Sequence, residues 1–89
     1  MTQPKIIVYD DAKGNAVDRY TVFIESSTAP SGWNTYGISK YPFDPYGFNQ
    51  FVGDTLNPKQ FGETHDDICV ELDDLPEQVV KAIHQRISF

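Results

Sequence analysis

The chain has 89 residues, 13 acidic against 7 basic side chains and a formal charge of −6. That length suits one domain, 1–89, with a modest core, and the charge argues against nucleic acid as a partner, because gripping phosphates needs clustered Lys and Arg. A single cysteine, Cys69, excludes an internal disulfide and fits a reducing compartment. With no apolar leader and no run near ~20 apolar residues, we expect a cytoplasmic protein, full length or nearly so, that avoids membranes.

Lys5 to Tyr9 is a short β-branched run and predicts a strand. Turn chemistry follows from Asp10 to Asn15, where Gly14-Asn15 tolerate positive φ. Val17 to Glu25 alternates, with Tyr20, Val22 and Ile24 on one face, so the two strands predict an antiparallel hairpin. Ser26 to Gly32 reads as a polar loop. Trp33 to Ser39 predicts a third strand, with Gly37 at a bulge or a close backbone approach.

Between Tyr41 and Gly53, Asp44 is placed to cap a short helix, with Pro45 in its first position and Gly53 closing it. Asp54 to Asp67 reads as loop and Ile68 to Leu72 as a fourth strand. Asp74-Leu-Pro-Glu77 has the spacing of a capping box. Leu75, Val79, Ala82, Ile83 and Ile87 then form one apolar stripe, which a helix must bury. Together these predict an α+β domain: an antiparallel sheet of about four strands with an N-terminal hairpin, the C-terminal helix on one face, and a short helical turn in the aromatic insert.

Trp33 to Phe51 concentrates seven aromatic residues among two prolines, two glycines and several amides. Regular strands and helices have no use for that mixture, so an ordered, irregular connection is expected. Under one reading Tyr36, Phe43, Phe48 and Phe51 complete the core, Tyr41 and Tyr46 face outward, and Asn49 and Gln50 bond the irregular backbone. Under the other, loop 41–51 is a binding surface. A platform for stacked bases would want a basic groove, and only Lys40 lies within the run.

Segment 63–77 holds Glu63, Asp66, Asp67, Glu71, Asp73, Asp74 and Glu77 without a Lys or Arg. It is either a patch for a basic partner or a helix cap with solvated neighbours. His65-Asp66-Asp67 lacks the spacing of a zinc or calcium site, so no metal and no other cofactor is expected. Cys69, between Ile68 and Val70, reads as a small buried hydrophobe rather than a nucleophile served by His65 or His84. No catalytic motif is present, and the expectation is that this is not an enzyme.

Tyr36-Gly-Ile-Ser-Lys-Tyr-Pro-Phe-Asp-Pro-Tyr-Gly-Phe-Asn-Gln-Phe51 resembles a motif, roughly YGMSxNPxxPxGFNQY, of small uncharacterised bacterial, phage and mobile-element proteins. Tyr20-Thr-Val22 matches their Tyr-Thr-Val strand, and Asp74 to Ile83 matches their terminal DLPExVxxAI helix. Tyr41 departs from the pattern, which has Asn before the first Pro. The resemblance implies a small accessory protein and no particular activity. It marks Gly37, Pro42, Pro45, Gly47, Phe48, Asn49 and Gln50 as a shared structural or recognition surface.

The function expected is therefore protein–protein interaction through loop 41–51 and the acidic segment, with Tyr41, Phe43, Tyr46, Asn49, Gln50, Asp66 and Asp67 as the candidate surface. The partner would be a host or mobile-element protein, including a nucleic-acid enzyme whose basic groove the carboxylates occupy. Alternatives are nucleic-acid binding by aromatic stacking, and a small-ligand binder or enzyme using Asn49, Gln50 or Cys69. A sheet with two open edges also admits a homodimer.

Overall fold

The computed structural model describes residues 4–13, 18–51 and 57–87. Five strands form one antiparallel sheet: β1 (Ile6–Asp10), β2 (Tyr20–Glu25), β3 (Trp33–Ile38), β4 (Phe48–Phe51) and β5 (Ile68–Val70), in the order β4-β3-β2-β1-β5. Helix α1 (Pro58–Thr64) connects the two edge strands, and a 3-10 turn (Leu72–Asp74) leads into helix α2 (Glu77–Arg86). The N-terminal hairpin is present, with Val8 opposite Val22 and Tyr9 opposite Thr21. The Gly14-Asn15 turn, Val17 and the Gly53 helix end lie outside the described residues.

Register divides the side chains between two faces, because partners across an antiparallel ladder point the same way. Val8, Val22 and Tyr36 lie in one row with Gln50, and Tyr20 and Ile38 in the next. On this face Val8, Tyr20, Val22, Ile24 and Ile38 meet Leu75, Val79, Ile83 and Ile87, the apolar stripe that the sequence places on the terminal helix. On the opposite face Phe23 is fully buried against Phe61 of α1, ring centroids 5.5 Å apart, with Tyr9 closing the cluster at 5.0 Å from Phe61. The Tyr9 hydroxyl donates to the Pro58 carbonyl at 3.0 Å, tying α1 to the sheet.

Several expectations are corrected. The sheet has five strands rather than about four, and helices cover both faces rather than one. Residues 58–64 are not loop: Asn57 caps α1 by accepting from the Gln60 N–H at 2.9 Å, and Pro58 takes the first turn. Among the described residues the aromatic insert holds no helical turn, and its last described part is β4. Asp74 caps nothing, since α2 begins at Glu77 after Pro76. The proline restricts the residue before it, and Leu75 is extended at ψ 156°, which ends the 3-10 turn and delays the helix.

Candidate functional site

Residues 39–47 join β3 to β4 through two overlapping β-turns. The Asp44 N–H donates to the Tyr41 carbonyl at 3.1 Å, and the Gly47 N–H to the Asp44 carbonyl at 2.9 Å. Pro42 and Pro45 each fill the second turn position, where their fixed φ is already correct. The Ser39 N–H donates to the Gly47 carbonyl at 2.9 Å and closes the base of the loop, while the Ser39 hydroxyl accepts from the Tyr41 N–H. Pro45 thus serves a turn where the sequence suggests a helix start.

Two features lock this path. Pro42 is fully buried and anchors the loop from below. Gly47 approaches the chain so closely that a Cβ there would collide with the Tyr41 carbonyl oxygen. From the anchored loop Tyr41, Phe43 and Tyr46 project into solvent, 66%, 52% and 84% exposed. Phe43 is therefore not core, contrary to the first reading of the segment, and neither is Phe51, 39% exposed at the end of edge strand β4. Tyr36 and Phe48 do pack onto the core, their centroids 5.9 Å apart, and the Arg86 guanidinium sits 5.6 Å above the Phe48 ring. The Asn49 amide donates to the Tyr46 carbonyl at 3.2 Å, as its expected service to irregular backbone requires. Gln50 is an exposed strand residue instead.

Phe43 also forms one wall of a groove of about 420 Å³ whose other side is Pro76, Glu77, Gln78 and Lys81 of the α2 entrance. The Gln78 amide donates to the Lys40 carbonyl at 3.2 Å and fixes helix to loop. Sequence reasoning missed Gln78 and Lys81, which adjoin the aromatics only because α2 folds back against the loop. A second groove of about 340 Å³ lies elsewhere, with Ile7, Trp33 and Pro58 flanked by Lys5 and Lys59.

The acidic residues are partly separated from the loop. The row Ile38–Tyr20–Asp10–Ile68 places the aromatic loop and Asp66-Asp67 at the same end of the sheet, but toward opposite edges. Asp66 is paired with Lys13 at 3.2 Å, an exposed bridge of little energetic weight. Burial pushes the Asp67 carboxyl above its usual range, helped by neighbouring Asp11, Asp10 and Asp66 and opposed by His65. Asp10 itself binds Arg19 in a half-buried pair.

Asn49 and Gln50 stand on β4 and Cys69 on β5, four strand spacings apart or roughly 19 Å, so they cannot serve one site. Cys69 is exposed, not buried, because β5 is an edge strand of only three residues. His65 stacks on the Phe61 ring at 4.0 Å. Among the described residues no three His, Cys, Asp or Glu side chains group as metal ligands, and no helix is long and apolar enough to cross a membrane.

Asp18 is the second carboxyl that burial perturbs. A Cβ on Gly37 would stand 2.5 Å from its Oδ2 and 2.9 Å from Phe51 Cζ, so Gly37 does mark a close approach, and a side chain makes it. Its Oδ1 is buried without a hydrogen-bond partner among the described residues, and desolvation raises the carboxyl's pKa. A raised folded pKa means that the folded state holds the proton more tightly. Stability therefore falls as pH rises from the ordinary value of 3.8 through the folded one, and the penalty is fully present above it. Asp18→Asn is expected to raise stability at pH 7 by up to about 1 kcal/mol and to flatten the gain on mild acidification, as read from urea midpoints at pH 7 and 5.

Comparisons with known protein families, with curated proteins and with solved structures match nothing. The functional reading rests on the geometry of the loop.

Proposed function

We propose that this chain is a non-catalytic accessory protein of phage or mobile-element type that works as a protein–protein interaction module. Its contact surface is loop 41–51, with Tyr41, Phe43 and Tyr46 at the centre and the groove beside α2 extending it. Asp66 and Asp67 lie at the same end of the sheet and guide a basic partner toward it, an effect that salt weakens.

The observation that carries this reading is the combination of large exposed aromatics with a rigid loop. Burying such rings on binding supplies area, and holding them in place beforehand spares the ordering cost that a mobile loop would bear. A loop that merely capped its own core would turn these rings inward.

The test is Tyr41→Ala combined with Tyr46→Ala. Both side chains are mostly in solvent, so the melting temperature should hold within a few degrees. Capture of a stoichiometric protein partner from lysate treated with nuclease should be lost, with a purified partner binding roughly 30-fold more weakly or worse, equivalent to ~2 kcal/mol. Undiminished capture by the folded double variant would sink the proposal, and capture that vanishes with nuclease alone would point to nucleic acid instead.

A further inference from the structure

We propose that β4 is a self-association edge, pairing antiparallel with β4 of a second copy about a two-fold axis at Asn49 and joining the two sheets into one. It concerns the backbone edge of β4 within the proposed contact segment, whereas the partner reading rests on Tyr41, Phe43 and Tyr46, and it is read by mass rather than by capture.

The hydrogen-bond phase of the sheet says which groups are free. Gly47 faces Ser39 as a bonded pair, and the pairs Gly37–Asn49 and Thr35–Phe51 follow at two-residue steps. Bonded pairs alternate along an antiparallel ladder, so the backbone N–H and C=O of Phe48 and Gln50 point away from β3. With β4 at the sheet edge, no strand of the described chain receives them. This short edge also lacks two of the usual protections: from Pro45 to Phe51 there is no charged residue, and the strand itself holds no proline.

A two-fold pairing must set outward residues against outward residues. Centred on Asn49, it pairs Phe48 with Gln50 on both sides of the axis, forms four backbone hydrogen bonds and keeps every partner within Gly47–Phe51. Phe51 then lies opposite Gly47, the residue without a side chain, and the two Asn49 amides meet on the axis. Beyond its bond to Tyr46 each amide keeps one N–H and its carbonyl oxygen, so like pairs with like. The same operation on β5 about Cys69 would set Asp67 opposite Glu71, a like-charge pair that opposes association. Charge thus disfavours the matching register at β5, while β4 carries no such conflict. Each copy carries −6, so salt should strengthen the dimer by screening the long-range repulsion.

Sedimentation equilibrium across a concentration series provides the test. The wild-type chain should show twice the chain mass, more completely at higher salt. Asn49→Lys and Asn49→Asp, each placing like charges on the axis, should both be monomeric, and an equimolar mixture of the two should recover the dimer mass. Gln50→Pro removes only an outward N–H, so it should keep the fold, as shown by an unchanged circular dichroism spectrum, and lose the dimer. A wild-type chain that stays monomeric throughout, or a dimer indifferent to Gln50→Pro and both Asn49 variants, overturns the proposal. Failure of the charge-swapped mixture to associate rules out the register centred on Asn49.

Discussion

Phe23→Ala is expected to lower the unfolding free energy by about 3–5 kcal/mol, much of the ~5–15 kcal/mol that a small domain holds. Phe23 is fully buried on the central strand, and its ring touches both Tyr9 and Phe61. Deleting it empties the centre of the smaller core and leaves α1 held mainly by Tyr9, whose ring packs on Phe61 and whose hydroxyl bonds the Pro58 carbonyl. The loss should appear as a shifted urea midpoint. If the variant does not fold, Phe61→Leu should give a smaller shift of the same sign. A change below about 1 kcal/mol for Phe23→Ala would mean that α1 contributes no second core.

Gly47→Ala is expected to cost about 2–3 kcal/mol and to disturb the aromatic loop more than the sheet. The reason is contact rather than dihedral angle: among the described residues only Gly32 has positive φ, yet a methyl at 47 would overlap the Tyr41 carbonyl. The chain can relieve this only by opening the Asp44–Gly47 turn or pulling Ser39 off Gly47. Hydrogen exchange should therefore quicken at Asp44, Gly47 and Ser39 while Val22 and Phe23 stay protected. Unchanged exchange at the three turn amides would show that the loop is not locked as described. Because the loop carries the proposed contact surface, partner affinity should fall with the same substitution even though no aromatic has been touched.

Much of this architecture is legible in the chain. The alternation of Tyr20, Val22 and Ile24 marks β2, and the stripe from Leu75 to Ile87 marks α2, because both elements bury a full apolar face and sequence must pay out that pattern residue by residue. Two elements were obscured. Helix α1 buries only Pro58 and Phe61, too few to make a stripe. Its signal is instead in its capping chemistry, Asn57 with Gln60 and a proline between them. Strand β4 is an edge of amides and aromatics beside two prolines, and Asp44-Pro45 fits a helix start as well as a turn. What decides is Pro42 three residues earlier, since a proline in the second place of each of two linked turns suits Tyr41-Pro-Phe-Asp-Pro-Tyr-Gly47 throughout. The outward placement of Tyr41 and Tyr46 was readable. That of Phe43 was not, because it depends on α2 folding back to leave a groove instead of a cover.

The path from β4 through α1 to β5 has a consequence for synthesis. Strands β1 to β4 follow one another and can pair through neighbouring turns. The strand that covers the outer side of β1, however, sits about sixty residues further along, with Val8 waiting for Val70. Until β5 leaves the ribosome, β1 is a border rather than an interior strand, and Val8 has no helix above it until α2 follows. The nascent protein is thus open to misdirected pairing along β1 until its carboxylate-flanked closing strand has been made.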